Sequence, residues 1–141
     1  MFIKQLSVFV ENSAGSLQHI VDALSEHHIN IRALSVADTT EFGILRLIVD
    51  DEEKALSVLR EIGVVSKVTD VIAVAIDDRA GGLANVTRLI SAAGLNMEYA
   101  YAFLGRNAEK ALLVIKAGDE ALAEKVLTEA GIALATAEDL K

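Results

Sequence analysis

An internal repeat is the feature that most limits what this 141-residue chain can fold into. Offset by 66 residues, segment 14–30 falls on segment 80–96. Ala14/Ala80, Gly15/Gly81, Leu17/Leu83, Ser25/Ser91 and Asn30/Asn96 are then identical, and Ile20/Val86, Leu24/Ile90 and Ile29/Leu95 match in kind. Further along the offset grows to 68, pairing Val58/Val126, Leu59/Leu127, Glu61/Glu129 and Gly63/Gly131. Each unit is about 70 residues long, the size of a minimal module.

Both units carry the same order of hydropathy periods. Residues 2–10 alternate, with Leu6, Val8 and Val10 on one side and Gln5 and Ser7 on the other, which predicts a strand. Over 15–28, Leu17, Ile20, Val21 and Leu24 recur at helical spacing. Two β-branched-rich runs, 30–38 and 43–50, flank Asp38-Thr39-Thr40-Glu41 and read as a hairpin. Helical spacing returns over 52–62 through Ala55, Leu59 and Ile62. Asp50, Asp51, Glu52 and Glu53 stand at its start, where the helix dipole favours negative charge. Gly63 suits the position after its end, and a strand is expected from Val64.

The second unit predicts strands over 71–77, 95–104, 110–117 and 132–136, and helices over 81–93 and 119–130. Gly94 fits a left-handed position after its helix, where the first unit has the less comfortable His28. The order βαββαβ, repeated, is the ferredoxin-like split pattern. An α+β fold is therefore expected, with tandem units, antiparallel sheets and helices on one face. Proline is absent, and no Gly/Ser-rich stretch marks a linker. No turn signal separates Val64 from Ile76, so the last strand of one unit should run almost directly into the first strand of the next. The predicted division is residues 1–69 and 70–141, rigidly packed.

Composition removes several function classes. There is no cysteine, hence no disulfide, thiolate metal site or cysteine nucleophile. Net charge is −8, against the clustered lysine and arginine of a nucleic-acid footprint. No apolar run approaches the roughly 18 residues of a membrane span. The opening MFIKQLSVFVEN is no secretory signal, so a cytoplasmic location is expected. His27 and His28 point in different directions on a helix, and His19 is two turns away, so no metal is expected. No nucleophile–base pattern, Walker loop or dinucleotide fingerprint is present, and Gly81-Gly82 alone does not indicate phosphate binding. The chain is expected to be non-catalytic and without a cofactor.

The residues that carry a resemblance are Glu11-Asn12-Ser13-Ala14-Gly15-Ser16-Leu17 with Ile29-Asn30-Ile31, and Asp77-Asp78-Arg79-Ala80-Gly81-Gly82-Leu83 with Leu95-Asn96-Met97. In this frame they resemble the ACT domain, twice over and across essentially the whole chain. Alanine precedes the glycine in both copies, where many members have proline. The resemblance implies a small effector, commonly an amino acid, bound at an interface between paired domains, and control of an enzyme of amino-acid metabolism. With no catalytic domain in this sequence, it implies a sensor or regulatory subunit acting in trans.

The glycine loops support effector binding on chemical grounds. A missing Cβ at Gly15 or Gly81 lets a ligand approach the backbone closely. The first amides of a helix are unpaired donors that suit a carboxylate. The resemblance makes Asn12 and Asp78 the side chains that hold the effector. It makes residues 13–17 (Ser13, Ala14, Gly15, Ser16, Leu17) and 79–83 (Arg79, Ala80, Gly81, Gly82, Leu83) backbone donors. The plainer reading is that Asn12, Ser13 and Asp78 cap a helix. Asn30 and Asn96 are further candidates, with local turn geometry as their plainer role. Arg79 either neutralises a carboxylate or is a solvated loop side chain. Tyr99 and Tyr101 share a strand face where the first unit has Ala33 and Ser35, so the two sites cannot be equivalent. Edge strands make a homodimer expected. The alternative to a sensor is an obligate regulatory subunit or interaction module without an effector.

Overall fold

A computed structural model describes residues 2–38, 41–104 and 110–140. The chain divides into two compact units, Lys4–Thr69 and Asp70–Lys141, the latter taking in Met1–Ile3. In order, the elements are β1 (Ile3–Glu11), α1 (Ser16–Glu26), β2 (Ile31–Asp38), β3 (Phe42–Val49), α2 (Glu52–Glu61), β4 (Ser66–Asp77), α3 (Gly82–Ala92), β5 (Met97–Leu104), β6 (Lys110–Ala117), α4 (Glu120–Glu129) and β7 (Leu134–Ala135). A short 3-10 turn, Glu138–Leu140, follows. β4 is unbroken through the Thr69/Asp70 boundary. Thr39 and Thr40, the centre of the expected hairpin turn, lie outside the described residues.

In the first unit β3 is central to an antiparallel pairing of β2 and β1, with Leu34 opposite Leu47 and Leu6 opposite Leu47. On the other side of β1, the Phe9 N–H donates to the Val65 carbonyl (3.0 Å), just before β4. In the second unit β6 joins β5 and β4, and β7 pairs β4 through Ala73–Ala135 and Val74–Leu134. Expected strand 132–136 is thus only two residues of ladder, extended by the Ala75 N–H donating to the Ala133 carbonyl (2.9 Å).

The alternating positions of each sheet meet the helices on one face. Leu6, Val8, Val10, Leu45 and Leu47 pack with Ile20 and Leu24 of α1 and Val58 and Leu59 of α2. Ile72, Val74, Leu113 and Ile115 pack with Val86 and Ile90 of α3 and Ala123 and Leu127 of α4. Full burial of one such large side chain contributes about 1.5–3 kcal/mol, which is what holds helix to sheet. The tandem α+β, ferredoxin-like architecture is the observed one.

Helix ends follow local chemistry. Asp51 accepts from the Lys54 N–H and Asp119 from the Leu122 N–H, each at 3.0 Å, capping α2 and α4. Gly63, Gly94 and Gly131 take positive φ after their helices, and His28 does so after α1 at φ +57°. No helix among the described residues is long and apolar enough to cross a membrane.

Candidate functional site

Two helices begin differently from the Asp-capped pair. At α1 and α3 the residue before the helix is Gly15 (φ +87°) or Gly81 (φ +90°), and neither supplies a side-chain cap. A left-handed backbone there is cheap only for glycine. The consequence is that the leading amides of these two helices get no side-chain acceptor from the capping position. The loops close on themselves instead. Ser16 N–H donates to the Ser13 carbonyl and Gly82 N–H to the Arg79 carbonyl. The Ser13 and Ser16 hydroxyls lie 2.7 Å apart.

Each of these helix starts borders a cavity, and each cavity lies within one unit. The first, about 330 Å³, is lined by Phe9–Glu11, Ser16, His19, Ile20, Phe42 and residues 63–65. The second, about 220 Å³, is lined by Ala75–Asp77, Arg79, Gly81, Gly82, Asn85, Val86, Lys110 and residues 131–133. Every residue lining the first has its repeat counterpart lining the second, with offset 66 in β1–α1 and 68 from β3 onward. The duplicated sequence has built the same concavity twice.

The chemistry of the two differs. In the second, Lys110 Nζ lies 3.3 Å from Asp77 Oδ1 and Arg79 Nε 3.4 Å from Asp77 Oδ2. Lys110, and secondarily Arg79, hold the Asp77 carboxyl below its ordinary value of 3.8. In the first, Phe42 stands where the second has Lys110, and Phe9 (55 %), Phe42 (51 %) and Val65 (66 %) are exposed.

Of the residues singled out from sequence, Ser16 lines the first cavity and Arg79, Gly81 and Gly82 the second. Gly15 starts α1 beside the first, and exposed Leu17 and Leu83 occupy the first turns. Asn12, Ser13, Ala14, Asp78 and Ala80 stand in the loops outside both linings, with the Asn12 N–H donating to the Glu41 carbonyl. Asn30 is elsewhere: its N–H donates to Asp50 Oδ1 (3.0 Å), and the Asp50 N–H donates to its carbonyl (3.2 Å). It lines a shallow concavity at the far end of α1 with His28. Position 118, the counterpart of Asp50, is glycine, so Asn96 has no equivalent carboxylate there. Tyr99 and Tyr101 sit on β5 opposite Lys116 and Val114.

Phe9, His19, Phe42 and Val65, and the counterparts Asn85 of His19 and Lys110 of Phe42, are lining residues that the loop motif alone does not single out, whereas Glu11 and Asp77 open the two motifs. The two offsets, 66 for Phe9/Ala75 and His19/Asn85 and 68 for Phe42/Lys110 and Val65/Ala133, align them in pairs. Among the described residues no three His, Asp or Glu side chains converge as a metal site. His27 instead has its Nδ1 2.8 Å from the Ala23 carbonyl at the end of α1.

A family model described as an ACT domain pair matches residues 1–141. The chain belongs to this family. The ACT pair is similar to protein BT0572 from Bacteroides thetaiotaomicron, at 37 % identity over 99 % of this chain and 96 % of that one, with a TM-score of 0.93. It shares its fold with the regulatory subunit of aspartate kinase from Thermus thermophilus, at 16 % identity, 90 % and 91 % coverage and a TM-score of 0.64. The corresponding subunit from Thermus flavus gives 18 %, 90 % and 91 %, and 0.60. A search of curated proteins finds no match.

Proposed function

We propose that this ACT pair is a non-catalytic sensor that binds an amino acid or related small carboxylate and regulates a metabolic enzyme in trans. The observation that carries this reading is the pairing of a glycine-started, uncapped helix with a cavity, built once in each unit. Helix amides without a side-chain cap suit a carboxylate, and the dipole adds to the attraction. Asn12 and Asp78, at the loop starts, and the backbone of residues 13–17 and 79–83 are the groups assigned to the effector. Aspartate kinase regulatory subunits, which share the fold, are a precedent for a separate regulatory chain.

Binding couples to regulation if the effector makes different contacts in two packings of the protein. β2 and β5 end their strand orders, and pairing through such an edge makes the assembly a homodimer.

The test is thermal unfolding against a panel of free amino acids and short carboxylates. A ligand at about 100 times its dissociation constant adds roughly 2.7 kcal/mol. That is a rise of several degrees for a protein of this size. No rise with any compound overturns the sensor reading.

A further inference from the structure

The sheet face of the first unit that points away from its helices ends in a surface complementary to itself. Leu6, Val8, Val10, Leu45 and Leu47 pack toward α1 and α2, so the alternate residues Ser7, Phe9, Glu11, Ile44 and Arg46 face the other way. Val64 packs on the same core, so Val65 and Lys67 also face away from it. Register sorts these residues into three rows. Glu11 lies opposite Phe42, Phe9 opposite Ile44 and Ser7 opposite Arg46. The Phe9 N–H bonds to the Val65 carbonyl, which places Val65 in the middle row and Lys67 in the third. From row to row, about 7 Å apart, the surface runs from a carboxylate through exposed Phe42, Phe9 and Val65 to a guanidinium and an ammonium.

The second unit builds the same frame without this surface. Ala75, Lys110 and Ala133 stand for Phe9, Phe42 and Val65, and Val114 and Ala135 for Arg46 and Lys67. Its acid, Asp77, is engaged by its own Lys110 and Arg79. The sheet therefore does not need the three exposed apolar side chains, and a clustered exposed patch of this kind marks a contact surface.

We infer that this face binds a second copy of the chain in an isologous contact. A two-fold axis through the Phe9 row reverses the order of the rows. Glu11 of each copy then meets Arg46 and Lys67 of the other, while Phe9, Phe42 and Val65 cover one another. A surface with acid at one end and base at the other satisfies itself in this way, which neither a lipid surface nor a small apolar ligand would use. The contact closes at two copies. It lies on the face of the sheet, apart from the edge pairing and the effector binding proposed above.

Sedimentation equilibrium over a range of protein concentrations tests it. Phe9→Ala/Phe42→Lys, which installs the second unit's residues, should weaken self-association by about tenfold or more. Glu11→Lys and Lys67→Glu should each weaken it as well. The double variant Glu11→Lys/Lys67→Glu should associate more tightly than either single one, because the exchanged charges again meet across the two-fold. If edge pairing also holds, the protein is a tetramer that the aromatic substitution reduces to a dimer.

A protein that stays monomeric at every concentration overturns both this inference and the edge pairing. Association that survives the aromatic substitution belongs to the edge and overturns this inference alone. Association lost with the rings but not recovered by the charge exchange overturns the two-fold contact, and the patch then serves a different partner.

Discussion

Gly15 and Gly81 stand 66 residues apart and hold the same left-handed backbone, φ +87° and +90°, at the start of equivalent helices. A Cβ at either would meet nothing within 4 Å. Their constraint is therefore conformational alone. Gly82 is the opposite case: its Cβ would run into the Asp77 carbonyl oxygen. Its counterpart Ser16 carries a side chain at the same place, so the second loop is drawn tighter than the first.

The two kinds of glycine should respond differently to alanine. Gly15→Ala and Gly81→Ala should each cost about 1–2 kcal/mol from the positive φ. Gly82→Ala must displace backbone and should cost more, about 3 kcal/mol, near the upper end for overpacking. Urea unfolding of the three variants checks the ranking. Equal losses at Gly81 and Gly82 would contradict it.

The Asp-capped helices give a second expectation. Asp119→Ala removes the acceptor of the Leu122 N–H and should cost about 1 kcal/mol, and Asp51→Ala should do the same for the Lys54 N–H. Asn at either position should recover most of the loss, because it too offers an oxygen. A loss that Asn fails to recover would mean that charge, not capping, matters at these sites.

His28 and Gly94 occupy the same place after α1 and α3 with φ +57° and +76°. Replacing Gly94 by alanine should cost about 1 kcal/mol. His28→Gly relieves strain but loosens the unfolded chain, so it should stabilise by only a few tenths of a kcal/mol. Denaturation midpoints of the pair measure both signs.

Lys116 gives the pH dependence. Its ammonium lies 2.7 Å from Glu120 Oε1 and 3.7 Å from Glu98 Oε2. The hydrogen bond to Glu120 is the main cause that raises its pKa above the ordinary 10.5, against the opposing effect of partial burial. A raised value in the folded state means stability that is complete below 10.5 and lost as pH climbs through the folded value. The stability difference between the protein and Lys116→Met should therefore shrink as pH rises through that range. A difference that stays constant to high pH would show that the ion pair contributes nothing beyond the packing of the lysine stem.

The order of elements was legible because it rests on local periodicity, repeated. Alternation of Leu6, Val8 and Val10 and the stripe Ile20, Leu24 select strand and helix without reference to the rest of the chain, and the core uses those residues. Repetition then tested each unit against the other. Even the left-handed site at His28 was visible, through its counterpart Gly94. Boundaries were less so: the last strand shrank to Leu134–Ala135 because its length depends on what β4 offers as a partner.

The cavities needed the tertiary structure. The loop motif marks where each helix begins, since glycine at positive φ is a local matter. It says nothing of which side chains from β3 and from the segment after α2 come to the same place. That depends on strand register, which sets Phe42 against Glu11 and Lys110 against Asp77 across more than thirty residues of chain. By itself, the sequence determined two copies of one frame, because hydrophobic period and turn chemistry are encoded residue by residue. Only the folded register decided that one copy lines its cavity with aromatic rings and the other with an ion pair, because cross-strand neighbours are chosen by the pairing of distant segments.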